Sequence, residues 1–124
     1  MDVHPPIEEK LRRLGSPEQP RDGDCLTWAL AVTDMIIDDY DGLPAETVWV
    51  TAYDERDVIL FIHKATRVLS WMIDVTARQF SPELPLYWVA TENKYIEDLA
   101  SATGAALITI SPLADGLHLP SRSA

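Results

Sequence analysis

The sequence predicts an α+β domain in which an antiparallel sheet packs against an N-terminal helix that carries the single cysteine. Three observations lead there. Helical apolar spacing is confined to the first forty residues and one late segment; β-branched and aromatic runs dominate the middle; and the long alternation of strand and helix expected of a doubly wound sheet is missing. At 124 residues and 13.9 kDa, with 47% hydrophobic and 24% charged residues, the chain has the length and composition of one globular domain. Residues 1–112 are assigned to that domain and 113–124 to a flexible tail.

Pro5-Pro6 followed by Ile7 to Leu14 reads as a short helix, with proline at its start, acids in the first turn, bases in the last and Gly15 as the stop. Ser16 to Asp24 holds two prolines, a glycine and several charges, and is expected to be a loop. From Cys25 to about Asp39, Ala29, Val32 and Ile36 recur at helical spacing, with Asp22 or Asp24 placed to cap the first turn. Ala45 to Tyr53 is ambiguous and is read as part strand. Val58 to His63 and Arg67 to Val75 are expected to form a hairpin with Lys64-Ala65-Thr66 between them; a turn nearer Val68 would instead bring His63 and Asp74 face to face. Leu86 to Ala90 reads as a strand, Lys94 to Thr103 as a helix ended by Gly104, and Ala106 to Ile110 as a last strand.

Ten basic and twenty acidic residues give a formal charge of −10, so the average surface repels phosphate backbones and anionic membranes. Nucleic acid and membrane are accordingly not expected as partners. The apolar runs fall far short of the ~18 to 20 residues that a bilayer span requires. The first residues lack a basic and then apolar leader pattern, which implies a cytoplasmic protein or one delivered without such a signal. One cysteine can form neither an internal disulfide nor a structural zinc site, and the zinc deaminase signature cannot be built from it. No glycine-rich phosphate loop is present, and His4, His63 and His118 are too dispersed to suggest a metal site. No cofactor or metal is expected. Asp34, Asp38, Asp39 and Asp41 read as a solvated face.

Cys25 is either a small buried hydrophobe or a reactive thiol. A helix N-terminus favours a thiolate through its unpaired N–H groups, and a nucleophile also needs a base and a group that orients the base. His63 and Asp74 are the candidates. Asp74 lies in an apolar setting where a lone carboxylate is expensive, so a buried partner, His63 or Arg78, is implied. Asp22 and Asp24 are expected to raise the thiol pKa.

The strings Asp22-Gly23-Asp24-Cys25-Leu26-Thr27-Trp28-Ala29, then His63, then Ile73-Asp74-Val75-Thr76-Ala77-Arg78-Gln79-Phe80 resemble the compact papain-like, or transglutaminase-like, thiol hydrolases and deamidases of bacteria, their toxins and phages. The likeness spans Gln19 to Phe80. It implies a papain-like core with Cys25 as nucleophile, His63 as general base and later acid, and Asp74 as its orienter. Gln19, six residues before Cys25, takes the place of an oxyanion-hole donor, with Arg78, Gln79 and Trp28 in supporting roles. Leu26 stands where papain-like enzymes carry an aromatic residue, and Trp28 is displaced. The implied activity is thiol-dependent hydrolysis of an amide, as a protease, a protein deamidase or an acyltransferase, on a protein or peptide substrate that the acidic chain would favour being basic. The other reading is a non-enzymatic acidic binding module, an inhibitor or immunity-type partner whose charge is its tool.

Overall fold

The computed structural model describes residues 4–15, 24–40 and 42–113. The elements are α1 (His4–Leu14), α2 (Asp24–Asp39), β1 (Ala45–Tyr53), β2 (Ile59–Val68), β3 (Trp71–Asp74), a 3-10 turn (Ala77–Gln79), β4 (Trp88–Thr91), α3 (Glu92–Thr103) and β5 (Leu107–Pro112). The five strands form one antiparallel sheet in the order β4-β3-β2-β1-β5. The fold class is therefore α+β, a five-stranded antiparallel sheet with three helices. The cysteine helix is the second of the chain rather than the N-terminal one. The expected tail lies outside the described residues, apart from Leu113.

α1 begins at His4, so its prolines fall in the first turn, where the missing N–H is not needed. Glu8 and Glu9 consequently sit in the second turn rather than the first. There they pair with Arg12 and Arg13 four residues on, at 3.0 and 2.9 Å. α2 buries Cys25, Ala29, Val32, Thr33 and Ile36, a stripe at i, i+4, i+7, i+8 and i+11 that lies on the sheet. Its contacts fall mainly on β2 and β1.

The hairpin differs from the first expectation. β2 runs unbroken through Lys64-Ala65-Thr66 to Val68, and the reversal is the two-residue turn Leu69-Ser70, with Leu69 in the left-handed region at φ 57°. The polar residues that suggested a turn belong instead to a central strand whose polar side chains are satisfied inside the protein. Thr66, for example, donates to the Ala29 carbonyl at 3.0 Å.

Strand alternation divides the core in two. Val48, Val50, Ala65, Met72, Trp88 and Ala90 face α3, where they meet Tyr95 and Leu99. Val68, Ile73, Val75 and Val89 face the other way and pack with Ile7 and Leu11 of α1 and Val32 and Ile36 of α2. β1 is an almost wholly buried strand, which explains why its sequence lacked a clean alternation. α3 starts at Thr91, whose hydroxyl accepts from the Lys94 N–H, and stops at Gly104, where φ is 76°.

Candidate active site

His63 pairs in the ladder with Val50, so its side chain lies on the α3 side of the sheet, and it is fully buried. β3 follows two residues after β2 and ends at Asp74, whose side chain shares that face with Met72. The His63 Nε2 and the Asp74 Oδ2 are 2.8 Å apart. Of the two hairpin arrangements open from sequence, the turn beyond Val68 is the one that forms, and it brings these side chains together.

Both carboxylate oxygens of Asp74 are engaged. Tyr95 Oη donates to Oδ2 at 2.7 Å, while the Thr76 N–H and hydroxyl donate to Oδ1 at 2.9 and 3.3 Å. These bonds and the His63 charge hold the Asp74 carboxyl below the usual carboxylate range despite burial, which acts in the opposite direction. Burial and the neighbouring carboxylate keep the Tyr95 phenol protonated well above its ordinary range, so it remains a donor.

Cys25 approaches from α2, as the second residue of that helix. β3 pairs with β2 only over Thr66 to Val68, which leaves the β2 edge open at Lys64. The thiol sits there. Its sulfur lies within interaction range of the His63 ring and of the Lys64 backbone N–H. Burial alone would raise the thiol pKa. The hydrogen bond and positive charge of His63, with the Lys64 N–H and ammonium, outweigh this and hold it below the ordinary thiol value. The thiol is thus lowered overall, against the rise expected from Asp22 and Asp24; Asp22 lies outside the described residues. His63 is displaced in the complementary direction: burial disfavours its cation, but the Asp74 carboxylate, and after it Cys25, raise the ring to about 9. Each shift runs toward the charged form of its group.

The segment after Asp74 also grips the ring. The 3-10 turn Ala77–Gln79 brings the Gln79 Nε2 to 2.9 Å from His63 Nδ1, and Phe80 meets the imidazole edge-on at 4.9 Å between centroids while stacking on Phe61 at 4.1 Å. Gln79 is thus in direct contact with the candidate base. Arg78 does not pair with Asp74. Its Nε donates to the Leu84 carbonyl at 2.9 Å, which fastens the loop that follows. Trp28 packs against the cluster built by Ile7, Leu11 and Val32, away from any described contact with His63. Gln19 lies outside the described residues.

Sequence reading missed Tyr95, Thr76, Phe80 and the Lys64 N–H. The demand for a buried partner at Asp74 was the available signal for the first two, but a carboxylate in an apolar run does not say which distant donors will answer it. Among the described residues, no group of three or more histidine, cysteine, aspartate or glutamate side chains converges as a metal site would. No described helix is long and apolar enough to cross a membrane. Comparison with protein-family models, curated proteins and solved structures yields no match for this chain.

Proposed function

We propose that the protein is a thiol-dependent amide hydrolase built on a papain-like core, with Cys25 as nucleophile, His63 as base and acid, and Asp74 as the group that orients His63. The observation that carries this reading is the buried His63 ring, held by Asp74 at 2.8 Å on one nitrogen and lying beside the Cys25 thiol. With Nε2 engaged by Asp74, Nδ1 is the nitrogen that would serve the thiol and the substrate, and the Gln79 amide, 2.9 Å from it, would have to yield or turn its oxygen to that nitrogen.

In the proposed reaction the Cys25 thiolate adds to an amide carbonyl, forming a C–S bond and moving the carbonyl π pair onto oxygen. The Cys25 backbone N–H, at the start of α2, is the first candidate donor to that oxyanion, with Gln19 the second, expected from the resemblance. Collapse breaks the C–N bond, and the His63 imidazolium gives its proton to the departing nitrogen. Water then adds to the thioester as His63 takes its proton, and the C–S bond breaks to release acid and thiolate. Protease and deamidase outcomes share these steps and differ in the leaving amine; acyl transfer replaces water by another acceptor.

The test is the rate of Cys25 alkylation by iodoacetamide against pH. The expected profile keeps a fast limb below pH ~8.5, where an unperturbed thiol is already mostly protonated, and loses it in His63→Gln. A native protein whose Cys25 titrates as an ordinary thiol sinks the proposal. In that case the formal charge of −10 supports the acidic binding module, which should capture a basic partner in a strongly salt-dependent way.

A further inference from the structure

We propose that the open edge of β2 from Ile59 to Lys64 is the substrate-binding track, and that its occupant is an extended polypeptide added as a strand beside Cys25. This rests on the hydrolase reading above and names the substrate's form and seat.

β2 is ten residues long, but β3 covers it only from Thr66 to Val68. In an antiparallel ladder alternate residues turn both main-chain groups to the same side. Thr66 faces β3 and the Lys64 N–H meets the Cys25 sulfur, so Ile62 presents its N–H and C=O to this same side, where no described strand pairs with it. Free groups at this spacing are matched by the main chain of another extended segment.

Two further features fit a peptide. Val58, Ile59 and Leu60 stand in a row at 55, 38 and 47% exposure, an apolar stretch that an edge strand ordinarily avoids. The turn just before them, Asp54-Glu55-Arg56-Asp57, carries three acids to one base, so a basic residue at that end of the peptide is complementary. Ile62 lies two residues from Lys64, and at ~3.3 Å per residue a strand bonded to it extends directly past the sulfur. The nucleophile thus stands at the end of the track.

The experiment compares Cys25 labelling by chloroacetamide with labelling by two pools of randomised tetrapeptides, one bearing a C-terminal chloromethyl ketone and one an N-terminal chloroacetyl group. In each case the thiolate displaces chloride and forms a thioether; every rate is divided by the same reagent's rate with free cysteine. At least one pool should label about tenfold faster than chloroacetamide, and the captured peptides should be enriched in apolar and basic residues. Ile62→Pro removes an edge N–H that β1 does not use. It should abolish the advantage, read as the ratio of peptide to chloroacetamide labelling on the same variant. Pools N-methylated along the backbone should lose the same advantage on the native chain, a check independent of the variant's folding. Peptide pools no faster than chloroacetamide, or an advantage that survives both Ile62→Pro and N-methylation, overturn the proposal. So does a dimer in solution that Ile62→Pro dissociates, since the edge then belongs to a second copy of the chain. Failure of the hydrolase reading shows separately, as an ordinary thiol profile toward the small reagent.

Discussion

Two polar networks are buried against the central strand β2, one on each face of the sheet, and they differ in kind. On the α2 face Thr47, Thr33 and Thr66 link hydroxyl to hydroxyl at 2.8 and 3.0 Å and end on the Ala29 carbonyl. Each member is neutral, and each bond fastens α2 to the sheet. On the α3 face His63, Asp74, Tyr95 and Gln79 form a network with a carboxylate at its centre, which Cys25 meets from α2 at the β2 edge. Helix docking accounts for the first. The second buries an ion pair that a stable core does not need, since well-packed apolar residues of similar volume would serve stability at least as well. The contrast separates polar groups that hold the fold from those that are held by it.

Asp74→Ala strikes the charged network hardest. It strands the Tyr95 hydroxyl, the His63 Nε2 and the Thr76 N–H in the core, so a loss of about 3–5 kcal/mol is expected from urea unfolding. A loss below about 1 kcal/mol would mean that the network is not buried as described.

Acidity distinguishes the networks next. In a Cys25→Ala background, where no thiol titrates, Asp74 remains the chief influence raising His63. A raised histidine contributes stability that is complete below the unfolded value of 6.5 and is lost as pH rises through the folded value, about 9 in the native chain. Asp74, being lowered, contributes stability that is complete above its ordinary 3.8 and is lost as pH falls through its folded value. The urea midpoint should therefore be highest between about pH 4 and 6.5 and decline on the alkaline side, a decline absent when His63 is also replaced by Gln. A flat alkaline limb would show that the ring is not paired with a carboxylate.

Thr66→Val has the smallest effect. Removing the donor to Ala29 and the partner of Thr33 should lower stability by about 1–2 kcal/mol while leaving the pH profile of Cys25 alkylation unchanged. A shifted profile would join the two networks and undo the contrast.

The sequence exposed the charged network better than the hairpin that builds it. Cys25, His63 and Asp74 stood out because each residue type was costly or out of place in its local pattern. Lys64-Ala65-Thr66 misled because a polar break in an apolar run marks a turn only where its side chains reach water, and Thr66 is instead satisfied by α2. Nothing at Leu69-Ser70 announced the true turn, since neither residue is the glycine or asparagine that such a reversal favours. Tyr95 was legible as a core position on an amphipathic helix, but its bond to Asp74 spans 21 residues of chain and depends on how α3 crosses the sheet. Long-range pairings of this kind have no local signature.

The two-residue reversal at Leu69-Ser70 has a consequence for the order in which the site assembles. His63 and Asp74 are separated by only eleven residues, within one hairpin, whereas Cys25 and His63 are thirty-eight apart. Closing the longer span costs about 1 kcal/mol more in chain entropy. Base and orienter are thereby set to meet during the earliest hairpin formation, and the thiol joins them only when α2 docks. A chain in which α2 has not docked carries a cysteine of ordinary reactivity, and the sulfur acquires its altered character only when that helix meets the sheet.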